Sequence, residues 1–200
     1  MHGLVNRALE RFTRDSYGDE LWQEVMSGLD LGYSAFEPLM RYEPEVTERV
    51  LTALGARLGR ARADLLEDVG TYLVSHPKVE PIRRLLRFSG VDFADFLHSL
   101  EDLPERARLA VADLDLPPIC LHADGAGLYR LEVGLHECKG LRFGPVVMGV
   151  LRAMADDYGA LVVLEHRGAT EAAELIEVRL LDEGFASGRA FDLAARQQAG

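Results

Sequence analysis

Two short pairs of cysteine and histidine carry the side chains of this 200-residue chain that are best suited to binding a metal ion. They are Cys120-x-His122 and His136-x-Cys138. Thiolate and imidazole are the usual ligands of zinc, and a structural zinc site needs four of them around one ion. Whether these two pairs could meet depends on how the strands that carry them are paired.

The predicted strand pairing keeps the two pairs apart. A turn at Asp-Gly-Ala-Gly would place Ala123 opposite Leu128 and His122 opposite Tyr129. His136 then lies seven residues further along its strand, about 23 Å away at the usual rise. We therefore expect no zinc site within one chain and interpret the two pairs as unrelated strand residues.

Catalytic motifs are absent from the sequence. It contains no Gly-x-Gly-x-x-Gly, no phosphate-binding P-loop, no Cys-x-x-Cys and no Gly-x-Ser-x-Gly. The acidic pair Asp156-Asp157 has no partner at a defensible spacing, and we predict that it is solvated. The remaining histidines are isolated in sequence. Without a nucleophile, a base or a metal set, we do not expect an enzyme.

The charge balance narrows the class of partner. The net charge is −11, which opposes binding to nucleic acid or to anionic membrane surfaces. The densest basic group, Arg83, Arg84 and Arg87, is predicted to be the solvated face of a helix. Two cysteines indicate free thiols in a reducing cytoplasm, and neither a signal peptide nor a stretch of about 18 apolar residues is present.

Hydrophobic periodicity predicts helices first and strands afterwards. The predicted helices cover 4–17, 19–28, 44–58, 63–75, 79–88, 92–114 and 143–158. Pro104 must interrupt the helix over 92–114, because an interior proline costs about 3 kcal/mol. We predict a restart that Asp102 caps, with Glu105 completing a capping box.

Four strands form two predicted hairpins in the second half of the chain. They cover 119–122 with 128–135, and 161–166 with 173–181. Clustered helices followed by clustered strands predict an α+β fold. We expect one domain over 1–181, made of a helical part (1–60) packed on an α/β part (61–181), and a partly ordered tail over 182–200.

Several motifs together resemble those of the haem–nitric oxide/oxygen-binding domain family (H-NOX, or HNOB) over residues 1–181. The matching segments lie in the predicted helices and at the turns that follow them: 1–10, 17–22, 42–46, 66–72, 96–103, 117–118, 140–141 and 146–151. The resemblance implies a sensor that binds haem between a helical part and an α/β part. Such a sensor signals to a cyclase or a kinase.

The family holds its iron through the histidine of a Leu-Asp-x-x-His motif, and this chain has Pro104 at that position. Proline has no ligating side chain. His98 lies about 120° around the helix from position 104, so it is a poor substitute ligand. By position, the pocket that the family implies would be lined by Val5, Leu9, Leu97, Leu100 and Met148.

The family holds the haem propionates through Tyr-x-Ser-x-Arg, and here the corresponding residues are Gly134, His136 and Cys138. The lost hydrogen bonds to charged groups are worth about 1.5–3 kcal/mol each. Lys139 or Arg142 would compensate only as nearby point charges. His136 or Cys138 could ligate iron by residue type, but they align with the propionate end.

Two functions remain open at this stage. The favoured one is a stand-alone, haem-free regulator that acts through protein–protein contacts with a diguanylate cyclase or a histidine kinase, and its old pocket should have closed. The alternative is a sensor that binds haem b, and through it a gas, or that binds another apolar ligand. Its pocket should be open, with a polar group pointing into it.

Overall fold

The computed structural model describes residues 1–135 and 141–190. The helices are α1 (Gly3–Tyr17), α2 (Asp19–Leu29), α3 (Pro44–Leu58), α4 (Arg62–Ser75), α5 (Glu80–Arg87), α6 (Phe93–Ser99), α7 (Leu103–Ala110) and α8 (Gly144–Tyr158), with a 3-10 turn over Pro77–Val79. The strands are β1 (Ile119–Gly125), β2 (Leu128–Gly134), β3 (Leu161–Ala169) and β4 (Ala173–Asp182). This element order confirms the α+β fold. Among the described helices, none is long and apolar enough to cross a membrane.

A four-stranded antiparallel sheet in the order β1-β2-β4-β3 packs against α8. Alternate residues of β2 and β4 point into this core, because successive side chains of a strand face opposite sides. Leu131, Val133, Ile176 and Val178 are all fully buried there. Both predicted hairpins are confirmed, and the pairing of β2 with β4 joins them.

The predicted register of the first hairpin is wrong by one residue. Ala123 pairs with Tyr129, and His122 pairs with Arg130. The pairing shifts between Ala123 and Gly125, which lies opposite Leu128. The extra residue in β1 is a bulge, and residue counting from a turn cannot anticipate one.

The predicted interruption near Pro104 is present, but the predicted cap is not. α6 ends at Ser99 and α7 begins at Leu103, and Asp102 makes no side-chain capping bond. Pro104 lies in the first turn of α7, where its missing N–H is not needed. α7 ends at Ala110, so the prediction of a helix reaching Leu114 is also wrong.

α4 and α8 approach each other closely through two glycines. A Cβ atom on Gly70 would lie 2.0 Å from the carbonyl oxygen of Val146, and one on Gly149 would lie 2.0 Å from that of Glu67. Only glycine permits this separation of the two helices. The contact holds α8 between the sheet on one side and the N-terminal helices on the other.

The predictions that Arg83 and Asp157 are solvated are wrong. Arg83 Nε donates to Asp157 Oδ1 over 2.7 Å, and both side chains are buried. Arg87 lies 3.3 Å from the other oxygen of the same carboxylate and stacks on Tyr158. Burial is tolerated because the opposite charges pair. Of the segment predicted to be a partly ordered tail, residues up to 190 are described.

Candidate functional site

An apolar cavity of about 350 Å³ lies among α1, α4, α5, α7 and α8. α1 contributes four of its wall residues: Leu4, Val5, Ala8 and Leu9. Aliphatic side chains recur here at helical spacing, so one stripe of α1 faces the cavity. Cavities of about 300–1,000 Å³ are the usual size of small-molecule sites.

Pro104 is buried on the wall of this cavity, beside Leu100, Leu103 and Ala107. In the part of the chain that the structure describes, every wall residue is a leucine, isoleucine, valine, alanine, proline or phenylalanine. None of these side chains can ligate a metal or pair with a carboxylate. The described wall can therefore bind hydrocarbon and little else.

Three of the five residues predicted to line the pocket lie on the cavity wall, and two lie elsewhere. Val5, Leu9 and Leu100 lie on the cavity wall, whereas Leu97 and Met148 do not. Those two are buried in the core between α8 and the sheet. Leu97 lies on α6 and Met148 on α8, and both helices carry apolar residues on two faces. Sequence spacing alone does not distinguish the face toward the sheet from the face toward the cavity.

His98 lies away from the cavity wall. Its side chain is exposed, and its ring meets the ring of Tyr129 on β2 edge-on at 6.1 Å. In this arrangement of α6, His98 does not face the cavity, as its angular distance from position 104 suggested.

Of the three residues at the propionate-motif positions, only Gly134 is described. It ends β2, and a Cβ atom there would lie 2.7 Å from Cγ of Pro118. His136 and Cys138 lie outside the described residues. The same two residues are half of the zinc set considered above. Of its other half, Cys120 is an exposed free thiol, and His122 lies 3.5 Å from a carboxylate oxygen of Glu132.

A second cavity, of about 400 Å³, adjoins the first and was not predicted. Unlike the apolar cavity, it is lined partly by charged and polar residues: Arg7, Arg11, Glu37 and Tyr72. Burial, together with the hydrogen bond donated to Asp15, raises the pKa of Tyr72, so its phenol stays protonated. The sequence carried a signal in the spacing of Arg7 and Arg11 along α1, four residues apart.

A model of the Haem-NO-binding family matches residues 2–166 of this chain. The chain belongs to this family. Its fold is similar to that of H-NOX structures from S. oneidensis (TM-score 0.77, 15% identity, 92% of this chain and 97% of that one) and K. algicida (TM-score 0.77, 14% identity, 94% and 100%). At this identity the similarity concerns the fold alone.

Curated relatives are much longer proteins. This chain is 23% identical over 129 residues to soluble guanylate cyclase gcy-31 of Caenorhabditis elegans, and 24% identical over 134 residues to soluble guanylate cyclase 89Db of Drosophila melanogaster. The matches cover 64% and 65% of this chain but 18% and 20% of those proteins. The chain thus spans about a fifth of their length.

The described cavity wall does not fit haem in the way that the family resemblance implies. Haem iron needs an axial nitrogen, sulfur or oxygen ligand from the protein, and the wall offers Pro104 and other hydrocarbon side chains. The cavity is open, whereas we expected the pocket of a haem-free regulator to have closed. No polar group of the described wall points into it, against the expectation for a haem sensor.

Proposed function

We propose that this chain is a signalling regulator that does not hold haem in the manner of its family and that acts through protein–protein contacts. The observation that carries the proposal is the position of Pro104. It occupies the wall of the cavity at the position that the resemblance assigns to the iron ligand, among side chains that are all hydrocarbon in the described part of the wall.

The close contact at Gly134 supports the same proposal. The resemblance assigns the first propionate-binding residue, a tyrosine, to this position. Pro118 occupies the space that a side chain there would need, since its Cγ would lie 2.7 Å from a Cβ atom. Restoring a large side chain would require β1 or β2 to move. Two separate positions of the family's haem site therefore support the proposal.

The second candidate is a sensor of an apolar ligand, haem b included. The open cavity favours it, because an empty cavity destabilises a fold by roughly 24 cal/mol per Å³. A bound apolar molecule would offset that cost. For haem, the axial ligand would have to come from outside the described wall, with His136 and Cys138 as the candidates by residue type.

For either candidate we propose a cyclase or a histidine kinase as the partner. The curated relatives are guanylate cyclases by name, and the family resemblance adds diguanylate cyclases and histidine kinases. The interaction would let the state of this domain control an enzymatic partner.

Expression with added haem tests the proposal. The purified protein should show no Soret band at stoichiometric haem that depends on a protein ligand. The measurement is a visible spectrum of the wild type, His98→Ala and His136→Ala. A stoichiometric, axially ligated haem in the wild type, lost in either variant, would establish the haem sensor instead.

A further inference from the structure

The two cavities adjoin each other and share part of their walls. Leu4, Ala8, Leu73 and Ile82 line both of them. The rest of the described wall of the apolar cavity is entirely hydrocarbon, whereas the wall of the second cavity includes charged side chains. Together they form an amphipathic pair of compartments that one elongated molecule could span, with an apolar body and a polar end.

One face of α1 runs along both compartments. Leu4, Arg7, Ala8 and Arg11 are spaced by three and four residues, so they lie on the same side of the helix. The rise of 1.5 Å per residue places Arg11 about 10 Å beyond Leu4 along the axis. Leu4 and Ala8 line both cavities, whereas Val5 and Leu9 line only the apolar one and Arg7 and Arg11 only the second. The helix surface therefore changes from aliphatic to cationic around the axis, toward the second cavity.

Arg11 is the more available of the two cations. It is exposed and forms no hydrogen bond or ion pair with residues 1–135 or 141–190. Arg7 donates to Glu10 over 2.9 Å. Glu10 also accepts from Arg14 and from the backbone N–H of Phe36, so it keeps two partners if Arg7 turns to a ligand.

Arg11 makes the second cavity suitable for an anion. The wall carries two guanidinium groups and the Glu37 carboxylate, and Arg7 is also paired with Glu10 beside the wall, so Arg11 is the main charge offered to a ligand. The phenol of Tyr72 donates to Asp15 and is neutral. In a chain with a net charge of −11, two arginines facing one cavity are a local departure from the overall charge, and guanidinium matches a carboxylate in shape and hydrogen bonding.

We propose that the paired cavities bind a long-chain carboxylic acid. Its hydrocarbon chain lies in the apolar cavity and its carboxylate pairs with Arg11 and Arg7. This inference rests on the proposed function, because the apolar cavity cannot hold haem and a fatty acid together. An acyl chain could come from a free acid or from a membrane lipid. We commit to the free acid, whose single chain and single carboxylate match one apolar cavity of about 350 Å³ and an adjoining cavity lined by two guanidinium groups.

Titration calorimetry with dodecanoate and dodecanol tests the charged end. The two probes share their hydrocarbon chain and differ in charge. Dodecanoate should bind about tenfold more tightly, and Arg11→Gln should reduce that preference by about three- to tenfold. Arg57→Gln removes the same charge from α3, where Arg57 pairs with Glu24, and should leave the preference unchanged.

A second variant tests the apolar end. Ala107 lines only the apolar cavity, so Ala107→Phe should fill part of it. Palmitate should lose at least tenfold in affinity, and octanoate should lose less. A thermal melt of the variant shows whether it folds, and Ala8→Leu at the junction of the cavities gives a second test if it does not.

Three results would overturn the proposal. They are equal affinity for dodecanoate and dodecanol, an unchanged preference in Arg11→Gln, or binding to phosphatidylglycerol vesicles without binding to dodecanoate. Failure of the proposed function has a different signature, which is axially ligated haem in the visible spectrum. A haem-free protein that ignores dodecanoate would therefore refute this inference alone.

Discussion

Arg83 and Asp157 form an ion pair in the interior, with Nε and Oδ1 2.7 Å apart and both side chains only 3% exposed. The pair joins α5 to α8. Arg83 also donates to the carboxylate of Glu80 and to the carbonyl oxygen of Ala190. Since Ile82, Leu85 and Leu86 of α5 line the apolar cavity, the same helix contacts the cavity, α8 and the C-terminal segment.

Replacing Asp157 should strongly destabilise the fold. Asp157→Ala leaves the Arg83 guanidinium buried without its main partner, and loss of one member of a buried pair costs about 3–5 kcal/mol. Urea unfolding measures the change in the free energy of unfolding. Asp156→Ala is the matched control, because Asp156 is adjacent but exposed, and it should change stability by less than about 0.5 kcal/mol. Equal effects of the two variants would contradict the role of the pair.

The glycines between α4 and α8 give a second prediction. Gly149→Ala places a Cβ atom 2.0 Å from the carbonyl oxygen of Glu67, so the helices must separate, at a cost of about 1–3 kcal/mol. Gly28→Ala adds the same methyl group to α2, where no atom outside the surrounding turns of the helix lies within 4 Å of it. It should stabilise by up to about 1 kcal/mol. Thermal unfolding of both variants compares them, and a neutral Gly149→Ala would disprove the close contact.

Local signals in the sequence predicted most helices and strands but few of the side-chain contacts between them. The two hairpins and α8 follow from short-range periodicity, and Pro104 had to interrupt a helix wherever it lay. Arg83 and Asp157 are 74 residues apart, and each alone resembles a surface charge. Their burial depends on how α5 and α8 pack, which periodicity does not encode.

The candidate site was predictable to a similar extent. The substitution of Pro104 was visible by comparison with the family motif, and Val5, Leu9 and Leu100, which the family resemblance assigned to the pocket by position, lie on the cavity wall. Leu97 and Met148 have the same apolar character and pack toward the sheet instead. The second cavity needed the tertiary structure, since Tyr72 and Glu37 reach it from segments distant from Arg7.

Acid should remove part of the stability through Asp15. Burial alone would raise its pKa, but hydrogen bonds from Lys78 and Tyr72 outweigh that effect and lower the pKa below the ordinary 3.8. A carboxylate with a lowered folded-state pKa stabilises the fold above pH 3.8 and loses this contribution as the pH falls below it. Asp15→Asn should cost about 1–2 kcal/mol at pH 7.

The difference between wild type and Asp15→Asn should stay constant at neutral pH and shrink as the pH falls below 3.8, because the carboxylate of the unfolded chain then takes up a proton more readily than that of the folded chain. Urea unfolding across this range measures it. Asp19→Asn serves as a control, since the Asp19 side chain is 66% exposed and pairs at the surface with Arg14. A difference that stays constant with pH would contradict ionisation of Asp15 as the cause.

Pro104→His should give the cavity the iron ligand that its described wall lacks. Pro104 is buried on the cavity wall in the first turn of α7, where helix formation does not require proline. The expected loss of stability is about 1–3 kcal/mol, because an imidazole among hydrocarbon side chains has no hydrogen-bond partner. On addition of haem, the variant should develop a Soret band with an imidazole as axial ligand, and the wild type should not. Pro77→His is the control, because Pro77 is an exposed residue of the 3-10 turn and its replacement adds a histidine outside the cavity. Identical spectra for both variants would mean that position 104 does not direct a side chain at bound haem.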